Sequence, residues 1–199
     1  MIVIPEDLEE RIKRTNEERV EIVPYDERWP RLFLEEKQHL LSCLPEGLLR
    51  RIEHFGSTAV PGLCAKPVVD LLIEVTSLKA ARERIAPVLI AQGYDYFWRP
   101  SFGDDQPPWY AWFIKRGARG VRTHHLHMVT RRQSFRGHWD SLLFRDYLIS
   151  HPKVAATYGR LKKEIARSHP HDRTAYTEGK TDFIAKVMAV AAAERRNAD

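Results

Sequence analysis

The hydrophobic pattern predicts an α+β fold: a mixed β-sheet flanked by helices, with a helical C-terminal part. Three observations carry this expectation. Strand-like runs alternate with helical ones up to about residue 130. The run Val68–Val75 is nearly all apolar and β-branched, as in a strand buried on both faces. Beyond residue 134 the pattern turns helical. The expected organisation is an N-terminal helical arm over 1–19 and a single domain over 20–195, sheet-rich over 20–130 and helical over 134–195.

Residues 5–19 read as a polar, charge-laced helix with a thin apolar face. Val20–Val23 reads as a short strand stopped by Pro24. Arg31–Leu44 is amphipathic, with Leu34, Leu41 and Leu44 at helical spacing and Phe33, Leu40 and Cys43 alongside. Leu49–Phe55 reads as a strand. Gly56–Pro67 reads as a loop, because its two glycines and two prolines do not fit inside regular elements. A helix follows over Leu78–Ala91, then strands over Tyr94–Trp98, Tyr110–Lys115 and Val121–Thr130, the last two joined as a hairpin by a glycine-containing turn. Helices are expected over 135–149, 152–168 and 174–195.

The 199 residues suffice for one sizeable core, and five Trp, seven Tyr and eight Phe supply bulky material for it. No apolar run reaches the ~18 residues of a membrane span. The first residues lack the order of a signal peptide, so a cytoplasmic protein with no membrane partner is expected. Cys43 and Cys64 make no disulfide framework and read as packing residues, with Cys64 in the loop of interest. The net charge is +5 (32 basic minus 27 acidic). From Gln106 to Trp139 there is no acid, while the segment carries Lys115, Arg116, Arg119, Arg122, Arg131, Arg132, Arg136 and four histidines. Such a block suits phosphate-bearing ligands or nucleic acid, or simply solubility.

The chemistry is concentrated after the 49–55 strand. Gly56 permits close backbone approach, and the hydroxyl and N–H groups of Ser57 and Thr58 suit phosphate oxygens. Asp70 interrupts an otherwise apolar strand, and a buried carboxylate demands a partner, a metal or a function. Strand, Gly-Ser, loop and Asp-bearing strand together resemble the nucleotidyltransferase superfamily. There the Gly-Ser holds a nucleoside triphosphate, and two acids one residue apart hold divalent metal. The run HFGSTAVPGLCAKPVVDLLIEV, with HLHMV at 125–129, FRDYL at 144–148, HP at 151–152, Tyr176 and Lys180, resembles the signature of the GrpB family over about 20–187. That family is nucleotidyltransferase-like, and some relatives are fused to dephospho-CoA kinase. No G-x-x-x-x-G-K-[ST] loop is present here, so no kinase module is expected.

This chain departs from the superfamily at residue 72, which is Leu. Residues 70, 72 and 74 share a strand face. A position-72 acid would lie ~6.6 Å along the strand from Asp70, whereas Glu74 lies ~13 Å away, too far to replace it. Residues 123, 125, 127 and 129 likewise share a face, so His125 and His127 form a pair able to join Asp70 around one metal. Asp70 is the candidate catalytic residue, and Asp70, His125 and His127 the candidate ligands of a divalent metal: Mg, Mn or Zn. Gly56, Ser57, Thr58, Lys66, Arg145 and Lys180 are the candidate phosphate-binding residues. His54 is read either as facing the same cleft or as a structural strand histidine. The resemblance implies a transferase acting on a nucleoside triphosphate. The alternatives are a non-catalytic module binding a nucleotide or CoA-like compound, and an RNA-associated protein, for which no motif speaks.

Overall fold

In a computed structural model, which describes residues 8–101 and 106–198, five strands form one sheet. They are β1 (Leu49–Phe55), β2 (Val69–Val75), β3 (Asp95–Pro100), β4 (Trp109–Arg116) and β5 (Arg122–Val129), in the spatial order β1-β2-β5-β4-β3. β2 and β5 are parallel and the remaining pairs antiparallel, so the sheet is mixed. The apolar run at 69–75 is the second strand, covered on both faces, which explains why it lacks strict alternation.

The two sheet faces bury different material. One carries Leu71, Ile73, Phe113, Leu126 and Met128 beneath two helical segments. These are α2 (Trp29–Cys43) and a helix running through α3 (Leu78–Ala80), a π turn (Ala81–Ile85) and α4 (Ala86–Ala91). Pro87 accounts for the widened turn: it has no N–H to donate, and its ring would crowd the carbonyl four residues back. The other face carries Asp70, Leu72, Tyr110, Trp112, His125 and His127. It is partly covered by α5 (Arg136–Ser150) through Leu142 and Trp139. Beyond lie α6 (Pro152–Ser168), α7 (Arg173–Glu178) and α8 (Thr181–Ala198).

Several elements differ from the sequence expectations. The N-terminal helix is α1 (Leu8–Glu17), and residues 5–7 of the expected span lie outside the described ones. Val20–Val23 is no strand: only Val23 bridges to Ala65, while the Val20 N–H donates to the Pro170 carbonyl. A ladder needs a neighbouring edge, and the 56–67 loop offers a single residue of one. In α2 the buried stripe is Trp29, Glu36, Leu40 and, just past its end, Leu44, whereas Leu34 and Leu41 are 53% and 57% exposed. Buried Glu36 accepts from the Tyr94 hydroxyl at 2.6 Å and pairs with Lys115, so an acid holds a place that pattern-reading reserves for an apolar residue. The expected 174–195 helix breaks at Gly179, where an added Cβ would meet Ile165 of α6 at 3.1 Å. Among the described residues no helix is long and apolar enough to cross a membrane.

Candidate functional site

The site begins where β1 ends. Gly56 has φ 71°, a left-handed conformation that side chains disfavour. A Cβ there would also stand 2.6 Å from Asp70 Oδ2. The turn backbone therefore lies directly against the Asp70 carboxylate, which the antiparallel register places opposite Phe55. Ser57–Ala59 coils into one 3-10 turn. Thr58 is buried and its hydroxyl is hydrogen-bonded to His54 Nε2 at 3.0 Å. His54 also stacks on Phe33 of α2 at 4.9 Å, and burial pushes its pKa down to about 4. It is a structural histidine, and it does not line the cavity described below.

The parallel register sets Asp70 beside His125 and Leu72 beside His127. One ligand atom from each of Asp70, His125 and His127 lies within 4.8 Å of the others. His125 Nδ1 is 3.0 Å from Asp70 Oδ1, and His127 Nδ1 is 3.3 Å from the Tyr110 hydroxyl. Burial works to raise the Asp70 pKa, but the hydrogen bond and charge of His125, then His127 and Lys66, hold it below the ordinary carboxylate value. Burial lowers His125 and takes His127 well below its ordinary value, against the pull of Asp70. An ionised carboxylate and two neutral imidazoles are the protonation states a divalent ion requires. The donor set therefore fits one ion. Leu72 is wholly buried among Phe97, Trp112 and Leu142, so hydrocarbon fills the position two residues beyond Asp70 on the same strand face.

These groups open onto a cavity of about 650 Å³. Gly56, Ser57, Thr58, Lys66, Asp70, His125, His127, Arg145 and Lys180 all line it. Lys66 and Lys180 hold their ammonium groups over the Tyr176 ring, at 5.1 and 4.6 Å from its centroid. An aromatic face positions a cation without neutralising it. Among the described residues neither lysine pairs with a carboxylate. Burial, and for Lys66 the neighbouring Lys180, lower their pKa values to about 7 for Lys66 and about 8 for Lys180. Arg145 differs: it donates to Glu53 at 3.1 Å, to Asp146 at 2.7 Å and to the His54 carbonyl at 2.7 Å. Its guanidinium ties α5 to the end of β1.

Sequence reasoning missed Lys162 and Tyr158. Lys162, 1% exposed, donates to Ser57 Oγ at 2.8 Å and to the Cys64 carbonyl. No sequence signal marks it, because Arg160, Lys162 and Lys163 crowd one stretch of α6 and only Lys162 is buried. Cys64 packs against the Gly159 backbone of α6. The buried part of the acid-free basic block is compensated from elsewhere. Lys115 pairs with Glu36, Arg116 with Glu18 and Asp95, and Arg122 with Glu18, while Arg119, Arg131, Arg132 and Arg136 face outward.

Comparison with known proteins agrees with this architecture. A family model described as GrpB protein matches residues 19–190. A UPF0157 protein of Pseudomonas aeruginosa is 37% identical over 192 residues, covering 94% of this chain and 74% of that protein. A dephospho-CoA kinase of Mycolicibacterium paratuberculosis is 29% identical, and the match spans 83% of this chain but 44% of the kinase. The crystal structure of GrpB from Enterococcus faecalis superposes with a TM-score of 0.72 at 31% identity, covering 88% of this chain and 99% of that one.

Proposed function

The chain belongs to the GrpB family, and from that premise and the geometry of the cavity we propose that it binds a nucleoside triphosphate or related phosphate ligand together with one divalent metal, and catalyses nucleotidyl or phosphoryl transfer. One observation carries the reading: the Gly56 turn abuts the Asp70 carboxylate, and both share a cavity with Lys66 and Lys180, neither of which forms an ion pair among the described residues. Asp70, His125 and His127 would hold the ion, and two imidazoles with one carboxylate suit Mn or Zn better than Mg, which prefers oxygen ligands. Such an ion supplies Lewis acidity at a phosphate oxygen. Ser57, Lys66 and Lys180 orient and neutralise the phosphates, which is most of what phosphoryl chemistry asks of a protein. The likeness to nucleotidyltransferases is part of this proposal.

Leu72 favours a second reading, a non-catalytic accessory module binding a nucleotide or CoA-like compound, and the similarity to part of a dephospho-CoA kinase is in keeping with it. Calorimetric titration with ATP, GTP, CTP and UTP, with and without Mn²⁺, Zn²⁺ or Mg²⁺, tests binding, and pyrophosphate release separates the two readings. Asp70→Ala is expected to abolish metal-dependent binding while the melting temperature changes little. Unchanged binding in that variant removes Asp70 from the site.

A further inference from the structure

Lys162 stands apart from the Lys66–Tyr176–Lys180 stack. Its Nζ lies 2.8 Å from Ser57 Oγ, contacts the Cys64 carbonyl and sits 4.8 Å from the centroid of the Tyr158 ring. Tyr158 and Lys162 are one helical turn apart on α6, and both line the cavity with Ser57. The ionisable groups acting on Lys162 are the Cys64 thiol and Lys180. Among the described residues it pairs with no carboxylate. We propose that Ser57 and Lys162 form a nucleophile–base dyad, in which the Ser57 hydroxyl attacks a phosphoric anhydride.

A buried ammonium with no counter-charge is costly, and a lysine so placed relieves the cost by releasing its proton. Burial, with repulsion from Lys180, brings Lys162 down to about 7. The neutral amine has N–H groups for the Cys64 carbonyl and one lone pair to accept the Ser57 proton, as a base does for a serine nucleophile. This step rests on the phosphate reading above for its substrate class. The Ser57 Oγ–P bond forms and the P–O bond to the departing phosphate breaks. The hydroxyl proton passes to Lys162 Nζ and on to the departing oxygen, which leaves with the bonding electrons. The regenerated amine then deprotonates water or an acceptor hydroxyl, whose oxygen displaces Ser57 from phosphorus; Ser57 Oγ leaves with the bonding electrons and takes that proton back from Lys162. Lys66 and Lys180, which unlike Lys162 stand within the field of the Asp70 carboxylate, neutralise the anionic oxygens throughout.

The test uses an alkyl fluorophosphonate on the full chain in EDTA, because this reagent phosphonylates an activated serine with loss of fluoride and needs neither nucleotide nor metal. Peptide mass spectrometry is expected to place the adduct on Ser57. Its rate should rise with pH to a plateau, with a midpoint near 7. Lys162→Met should slow labelling by about 100-fold or more, the usual contribution of a general base. Lys162→Arg should be as slow, although it restores a cation. No adduct on Ser57, or a Lys162→Met rate equal to that of the unaltered protein, overturns the dyad. Should the lysine variants not fold, the pH profile of the unaltered protein decides, and a rate that climbs with hydroxide without a plateau is the overturning result. Labelled Ser57 in a protein that binds no nucleotide with metal would leave the dyad standing and the transferase reading fallen.

Discussion

Gly56 and Leu72 set the limits of the site at the scale of single residues. Gly56 combines a φ of 71° with a backbone so near Asp70 that an added Cβ would stand 2.6 Å from Oδ2 and could not fit without a shift. Gly56→Ala is therefore expected to cost roughly 1–3 kcal/mol in urea denaturation and to displace the carboxylate, lowering metal affinity. Unchanged stability and affinity would mean that the Asp70 side chain turns aside freely. Leu72→Asp would set a second acid two residues beyond Asp70 on the same strand face. It places a charge among Phe97, Trp112 and Leu142, so it should destabilise the fold by about 3 kcal/mol or more and bind no second ion. Metal stoichiometry by elemental analysis checks this, and two ions per chain would contradict it. Asp70, His125 and His127 were readable from the chain because alternation along a strand settles which side chains share a face. Lys162 was not, since in a helix rich in lysine and arginine only packing selects the buried one.

Histidines on two elements govern how the sheet seals against its cover. His54 of β1 lies stacked on α2, and His138 of α5 meets the Tyr110 ring of β4 edge-on at 4.7 Å. Burial holds both near 4, below the ordinary 6.5 of the unfolded chain. Between those values the unfolded state binds more protons, so their contribution to stability is complete above about 6.5 and is lost as pH falls toward 4. Melting temperature measured from pH 7 to pH 4 should fall across that window, and a flat profile would refute the assignment. The π turn at Ala81–Ile85 and the broken 174–195 helix could not be read from periodicity. A single proline and a single glycine decide them, through a missing donor and through the approach of α6.

Across the whole molecule, the acid-free block between 106 and 139 is integrated by acids distant in sequence. Glu18 forms ion pairs with Arg116 of β4, Arg122 of β5 and Arg173 of α7, so one carboxylate joins the N-terminal segment, the sheet and the C-terminal helices. Arg122 is 3% exposed, and removing its counter-charge leaves a guanidinium without compensation. Glu18→Ala is expected to destabilise the protein by about 3 kcal/mol in denaturant titration. A loss below about 0.5 kcal/mol would class the cluster with ordinary surface pairs. The amino-acid order by itself determined the α+β class, the central strands, the face shared by His125 and His127, and the Gly-Ser-to-Asp motif. Those depend on alternation and turn chemistry, which act over a few residues. Only the tertiary structure decided that Asp70 meets His125 across 55 residues and that Lys162 meets Ser57 across 105. Such pairings follow from how the whole core packs, and no local pattern encodes which of many cations is drawn inside.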